Sequence, residues 1–165
     1  RLNYLYDIMH GRITTLISNE GNVEEEVLKA DLVISSVLIP GARAPKLISR
    51  KLIKDMKKGA AIVDISIDQG GCCETSSPTT HDNPTYVEEG VVHYCVTNMP
   101  AAVPRTSTMA LTNATLPYVL EMANKGYERA MKENPEIARG INLIRGEVVN
   151  RAVAESLGMS YTHIS

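Results

Sequence analysis

The chain has 165 residues, a formal net charge of −2 and a hydrophobic fraction of 44%, enough for one domain or for a large part of a two-domain protein. Lysine and arginine form no block, so the sequence lacks the basic face that nucleic-acid or membrane-surface binding requires. No stretch approaches the roughly 20 apolar residues of a membrane-spanning helix. The three cysteines, two of them adjacent, form neither a disulfide framework nor a C-x-x-C metal pattern. They indicate reduced thiols in a cytoplasmic protein.

The first hundred residues alternate between helical patterns and β-rich runs. Helices are predicted at residues 2–9, after a cap at Asn22 and after a cap at Ser49. Residues 70–90 are predicted to form a long loop. This alternation predicts an α/β fold with a parallel sheet and crossover helices. The β-rich runs are residues 13–17, 31–38, 61–68 and 91–96.

The last sixty residues have a different pattern, in which no strand alternates with the helices. Residues 106–125 predict one long helix, residues 135–140 a short one, and residues 147–157 the last one. We therefore place a domain boundary near Pro104, where the α/β part gives way to a helical tail.

The most informative stretch is residues 62–71, where a buried β-branched run ends in Asp68-Gln69-Gly70-Gly71. In open α/β sheets, ligands bind at the carboxyl ends of the strands, which is where Asp68 is predicted to lie. Asp is also a common turn residue, so a simple turn-capping role for Asp68 stays open. Residues 36–38 and 96–99 end at the same predicted edge, where Asn98 adds a second polar group. The three runs together predict a rim for a planar aromatic ligand.

The other candidate residues favour structural roles. His93 lies inside a predicted strand and His81 in a turn-rich loop, and neither has metal-ligand spacing. The sequence contains no G-x-G-x-x-G, no P-loop, no G-x-S-x-G and no H-E-x-x-H. The residues alone therefore predict a ligand-binding α/β unit without a complete catalytic set.

Five motifs resemble those of bacterial alanine dehydrogenases, and the likeness runs through nearly the whole chain in order. In that family a Rossmann domain is inserted into a substrate domain. The resemblance implies a partial Rossmann-type parallel sheet at residues 1–104, the second part of an NAD-binding domain. It implies that residues 105–165 are the helical carboxyl-terminal part of the substrate domain. The motifs are V-L-I-P-G-A-R-A-P-K-L at 37–47, D-I-S-I-D-Q-G-G at 64–71, N-M-P-A-A-V-P-R-T-S-T at 98–108, A-L-T-N-A-T at 110–115 and N-K-G-Y at 124–127.

The resemblance also implies an activity, the reversible NAD-dependent oxidative deamination of L-alanine to pyruvate and ammonia. It implies a cytoplasmic homo-oligomer, commonly a hexamer, acting in alanine catabolism. We expect this chain to be a fragment that is inactive alone, because the family's substrate-binding Arg and Lys and its catalytic His lie in an amino-terminal part. Two alternatives stay open: a catalytically inactive nucleotide-binding or interaction module, and a transhydrogenase-like subunit.

Site residues follow from the resemblance, position by position. Asp68 matches the family's active-site Asp beside the nicotinamide. Ser77 and Lys125 depart from residues found in some members, an Arg near the cofactor and a His proposed for metal binding with Glu121, so no metal is expected. The implied cofactor contacts are Arg1, Ser18, Val37, Leu38, Ile65, Ser66, Ile67, Asp68, Val96, Thr97, Asn98 and Met99.

Overall fold

The structure is a computed structural model and describes residues 1–163. The chain separates into two compact units. The first unit comprises Arg1–Val37 and Ala44–Thr97, and the second comprises Leu38–Arg43 and the residues from Asn98 onward. None of the described helices combines the length and the hydropathy that crossing a bilayer would take.

The helices of the first unit begin at polar side chains that cap their free amide groups. The Oδ1 of Asn19 accepts a hydrogen bond from the backbone N of Asn22 at 2.8 Å, so Asn19 caps the second helix and the prediction for Asn22 is wrong. The predicted cap at Ser49 is confirmed, because its Oγ accepts from the backbone N of Leu52 at 3.2 Å. The helices are α1 (Leu2–Ile8), α2 (Glu20–Lys29) and α3 (Arg50–Asp55).

A four-stranded sheet forms the centre of the first unit. Its strands are β1 (Leu32–Ser35), β2 (Ala61–Asp64), β3 (Thr85–Glu88) and β4 (Val91–Tyr94), in the order β1-β2-β4-β3. The pairs β1·β2 and β2·β4 are parallel, and β3·β4 is antiparallel. The register places Ser35 opposite Asp64 and Val63 opposite Tyr94. The predicted α/β class with a largely parallel sheet is confirmed.

The structure corrects three further sequence predictions in this unit. Strand β2 ends at Asp64 instead of residue 68, because Ile65–Gln69 coils into a 3-10 helix. The predicted loop at residues 70–90 contains β3, which turns into β4 through Glu89 and Gly90, both with positive φ as tight hairpins require. The β-rich run at 13–17 belongs to no strand, since no strand of the described part of the chain pairs with it.

The core of the first unit lies between helices α2 and α3 and one face of the sheet. Ile53 and Ile62 have no exposed surface at all. Both residues belong to one buried hydrophobic cluster, to which α3 and β2 each contribute. The core residues are Val27, Ile48, Leu52, Ile53, Met56, Ala60, Ile62, Cys73 and Val91.

The second unit is mainly helical and contains a small hairpin that the sequence pattern did not predict. The predicted last helix starts at Arg151, not at residue 147, because Glu147–Val148 pairs with Leu143–Ile144. Asn150 then caps that helix by accepting from the backbone N of Ala152 at 3.1 Å. The elements are α4 (Pro104–Lys125), α5 (Tyr127–Glu133), α6 (Pro135–Gly140), β5 (Leu143–Ile144), β6 (Glu147–Val148) and α7 (Arg151–Leu157).

Candidate functional site

Three chain segments leave the same edge of the sheet of the first unit. They follow β1, β2 and β4, which are parallel neighbours, so their carboxyl ends point in one direction. These segments are residues 36–37, 65–71 and 95–97. The arrangement is the one in which open α/β sheets bind ligands.

The segment after β2 is a tight turn, residues 65–71, called here the Asp68 turn. Backbone hydrogen bonds from Gly70 N to Ile67 O and from Gly71 N to Ser66 O, both at 3.0 Å, close it. Ser66 and Ile67 are buried, whereas Ile65 and Asp68 are exposed. The turn therefore anchors two side chains in the protein and presents Asp68 at the surface of the sheet edge.

Ser66 joins the Asp68 turn to the segment after β1. Its Oγ accepts a hydrogen bond from the backbone N of Val37 at 2.8 Å and donates to the backbone O of Val37 at 2.9 Å. Two of the three predicted cofactor-binding segments are thus held together directly.

Asp64, the last residue of β2, is the functional candidate that the sequence reasoning missed. It is completely buried, and both of its carboxyl oxygens accept hydrogen bonds. The Oδ1 accepts from Ser66 N at 3.1 Å, while Oδ2 accepts from Cys72 N at 2.7 Å, Cys73 N at 3.4 Å and Ser76 Oγ at 2.6 Å. The available signal was an acidic residue inside a β-branched apolar run, a position where a charge needs several buried donors.

The segment after β4 is fixed by the loop that crosses it. Val96 is fully buried and forms an isolated parallel bridge with Thr79. The backbone N of Thr97 donates to the backbone O of Thr79 at 3.1 Å. Because Val96 is buried, as Ser66 and Ile67 are, contacts from these residues to a ligand would come mainly through backbone atoms.

A cavity of about 470 Å³ lies beside β1 and includes two of the predicted contacts, Ser18 and Val37. Among the described residues, the Oγ of Ser35 is buried without a hydrogen-bond partner, and Ser35 lines this cavity. Arg1 is exposed at the start of α1 and is not among the described lining residues. The lining consists of Leu16, Ile17, Ser18, Asn22, Val23, Glu26, Val27, Val33, Ile34, Ser35, Ser36, Val37, Leu47, Ile48 and Cys72.

Three predicted contacts belong to the second unit. Leu38 is 66% exposed. Asn98 is exposed with a left-handed φ of 53° and precedes the 3-10 helix Met99–Ala102, in which Met99 is half-buried.

His93 occupies a structural position in β4. It is fully buried, its ring stacks on Tyr86 at 5.0 Å, and its Nδ1 lies 3.0 Å from the backbone O of Val91. A carbonyl only accepts, so Nδ1 donates to Val91 O, and Nε2 forms a second hydrogen bond with Thr75 Oγ1 at 2.8 Å. These contacts support the interpretation that His93 is a satisfied core residue.

Comparison with known proteins identifies the family. The family model described as "Alanine dehydrogenase/PNT, C-terminal domain" matches residues 1–151. The chain belongs to this family.

The relatives of this alanine dehydrogenase/PNT domain include whole alanine dehydrogenases. It is 55% identical over 161 residues to alanine dehydrogenase of Halomonas elongata, covering 98% of this chain and 43% of that protein. It is 54% identical over 165 residues to alanine dehydrogenase of Staphylococcus saprophyticus, covering 99% of this chain and 44% of that protein. The chain thus spans less than half the length of these curated relatives, and the resemblance drawn from the motifs is confirmed.

Solved structures give the same result. A structure of an L-alanine dehydrogenase aligns over 95% of this chain and 43% of its own, with a TM-score of 0.78 and 46% identity. A transhydrogenase from Sinorhizobium meliloti aligns over 55% of this chain and 25% of its own, with a TM-score of 0.50 and 28% identity. The domain is therefore more similar to the alanine dehydrogenase structure.

Ser77 and Lys125, the two residues that depart from the family pattern, both form hydrogen bonds with nearby residues. The backbone N of Ser77 donates to the hydroxyl of Tyr86 at 2.7 Å. Lys125 donates to Glu121 at 2.8 Å and pairs with Glu133 at 2.9 Å, and its hydrogen bond lowers the pKa of Glu121. In this chain Lys125 thus places a cation beside Glu121.

Proposed function

We propose that this chain is the carboxyl-terminal part of an NAD-dependent alanine dehydrogenase, which interconverts L-alanine with pyruvate and ammonia. The observation that carries the proposal is the 55% identity to an alanine dehydrogenase over 98% of the chain. The sheet edge gives it a chemical basis, because Asp68 is exposed there on a turn linked to Val37 through Ser66.

The domain assignment follows from this proposal. Residues 1–104 supply the second part of the NAD-binding domain, and residues 105–165 supply the helical carboxyl-terminal part of the substrate domain. The parallel sheet of the first unit and the helices of the second are consistent with these roles.

The residues of the first unit fit a nicotinamide cofactor. The cavity beside β1 has a size suited to part of a small ligand, and Ser35, whose buried hydroxyl has no hydrogen-bond partner, forms part of its wall. Arg1 and Ser18 would contact the adenosine half of NAD. Asp68 would lie beside the nicotinamide. The further cofactor contacts would be Val37, Leu38, Ile65, Ser66, Ile67, Val96, Thr97, Asn98 and Met99.

When bound, NAD accepts the hydride that leaves the Cα of alanine. At the sheet edge, Asp68 and Ser66 are the residues of this chain to which we assign roles in the reaction. Asp68 would order the substrate amino group or the attacking water and would move protons as a general acid and base. Ser66 would hold the turn in place by its two hydrogen bonds to Val37.

The proposal also covers the setting in which the protein works. We place it in the cytoplasm, where it would assemble as a homo-oligomer or with a complementing amino-terminal part. A transhydrogenase-like role is less well supported, since the transhydrogenase structure aligns over 55% of the chain and the alanine dehydrogenase structure over 95%.

The test is alanine-dependent reduction of NAD by the complemented enzyme. This is the chain co-expressed with the part of Halomonas elongata alanine dehydrogenase that the match does not cover. With L-alanine and NAD at alkaline pH we expect NADH absorbance to rise, and we expect no rise with D-alanine or with this chain alone. No NADH from an assembled complex would contradict the proposed function, and would favour an inactive nucleotide-binding module.

A further inference from the structure

We propose that Asp64 is a positioning residue that holds the Asp68 turn in its working geometry. The inference rests on the proposed function, since it assigns Asp64 a part in the reaction through Asp68. Asp64 itself is fully buried and does not reach the sheet surface.

The carboxyl group of Asp64 is bound to both ends of the turn. Its Oδ1 accepts from the backbone N of Ser66, near the start of the turn, at 3.1 Å. Its Oδ2 accepts from the backbone N of Cys72, directly after the turn, at 2.7 Å, and from the Oγ of Ser76 at 2.6 Å. One rigid group therefore closes residues 65–71 into a loop, which restricts where Asp68 can lie.

Gly71 shows how closely the turn approaches this carboxyl group. A Cβ at Gly71 would lie 2.7 Å from Asp64 Oδ2 and 2.8 Å from Ser76 Cβ, both too short for real contacts. At Gly70, by contrast, a Cβ would meet nothing within 4 Å. The end of the turn is thus packed specifically onto Asp64.

The same carboxyl group acts on the neighbouring segment through Ser66. The Ser66 backbone N donates a hydrogen bond to Asp64. Its Oγ accepts a hydrogen bond from the backbone N of Val37 and donates one to the backbone O of Val37. Loosening the bond to Asp64 would therefore disturb both the Asp68 turn and its link to β1. Small displacements of a catalytic group are costly, since a misplacement of about 1 Å can lower rates about 100-fold.

The variant Asp64→Asn tests this role with almost no change in shape. Both oxygens of Asp64 accept from backbone N–H groups, so in either orientation the Asn amide NH₂ faces a donor and loses that hydrogen bond. In the complemented enzyme we expect kcat to fall about 10- to 100-fold, with a much smaller change in KM for NAD. The control Ile53→Val destabilises the same core by a small amount, leaves Asp64 intact and should keep kcat within about twofold.

A double-mutant cycle with Asp68→Asn separates positioning from a general loss of stability. If Asp64 acts through Asp68, the double variant should be no slower than Asp68→Asn alone, within about twofold. The inference would be overturned if the fold-loss in kcat of the double variant equalled the product of the two single losses, or if Asp64→Asn left kcat unchanged. A wild-type complex without NADH formation would instead contradict the proposed function.

Hydrogen exchange tests the same inference without activity. In Asp64→Asn we expect the amide protons of Ser66 and Cys72 to exchange at least about tenfold faster, while those of core strand β2 are much less affected. Unchanged exchange at both amides would overturn the inference whatever the kinetics.

Discussion

Gly70 and Gly71 share a left-handed backbone conformation but differ in the space around them. Their φ angles are 94° and 75°, so alanine should cost about 1–2 kcal/mol at either position. Gly71→Ala should cost about 1–3 kcal/mol more, because its Cβ would collide with Asp64 and Ser76. Urea denaturation of the two variants measures this difference. Equal losses would contradict the close packing of Gly71 on Asp64.

The Cys73 thiol links the same buried region to the pH dependence of stability. Burial, and next the charge of Asp64, raise the pKa of Cys73 from 9.0 to about 12. Below pH 9.0, the ordinary pKa of the thiol, the protonated Cys73 contributes fully to the stability of the folded state. This contribution is lost as the pH rises towards about 12.

Thermal unfolding across this alkaline range tests that assignment. Between pH 9.0 and about 12 the free energy of unfolding should fall by about 1.4 kcal/mol more per pH unit in the wild type than in Cys73→Ala. If the free energy of unfolding falls equally with pH in the two proteins, folding does not change the pKa of the Cys73 thiol, and the assignment is wrong.

The two acidic residues of the D-I-S-I-D motif show what a sequence can reveal about a site. Asp68 could be found from pattern alone, because it follows an apolar run and precedes two glycines. Asp64 is marked in the sequence only as an acidic residue inside an apolar run, and its role is not visible there, because its partners Cys72 and Ser76 come from a loop whose fold the sequence pattern does not specify. Long-range hydrogen bonds of this kind appear only once the chain is folded.

The hairpin β3–β4 anchors the loop that follows the Asp68 turn. The hydroxyl of Tyr86 accepts from Ser77 N at 2.7 Å and donates to Thr75 O at 2.8 Å. Burial raises the pKa of Tyr86, so the hydroxyl stays protonated and keeps its donor role.

Removing that hydroxyl should loosen the loop measurably. Tyr86→Phe leaves two backbone groups without their partner and should lower the free energy of unfolding by about 1–3 kcal/mol. The matched control is Tyr118→Phe, which removes an exposed hydroxyl bound to Glu136 and should change stability by less than about 0.5 kcal/mol. Equal effects in the two variants, measured by urea denaturation, would contradict the anchoring role of Tyr86.

At the level of elements, local patterns predicted the central strands and most of the helices, but they missed α5 and several boundaries. Strand β3 was missed because it is short and half exposed, and its Glu89-Gly90 turn is less distinctive than Asn-Gly. The hairpin β5–β6 was missed because its strands have only two residues each. Residues 13–17 have a strand-like composition but pair with no strand of the described chain, and composition cannot supply a partner.

For the whole molecule, the important fact is that the chain covers 43% and 44% of its curated relatives. In our proposal the chain supplies the nicotinamide side of the active site, and the complementing part supplies the remaining substrate-binding groups. Reaction rates therefore belong to the complemented enzyme, whereas the packing of the Asp68 turn is a property of this chain.

The most direct test compares Asp68→Asn with Asp82→Asn in the complemented enzyme, measuring kcat for L-alanine by NADH absorbance. Both substitutions remove one exposed carboxyl group, but only Asp68 lies on the turn after β2. We expect Asp68→Asn to lower kcat at least about 100-fold, as loss of a general acid and base does, and Asp82→Asn to leave it within about twofold. Equal rates in both variants would contradict the assignment of Asp68 to the active site.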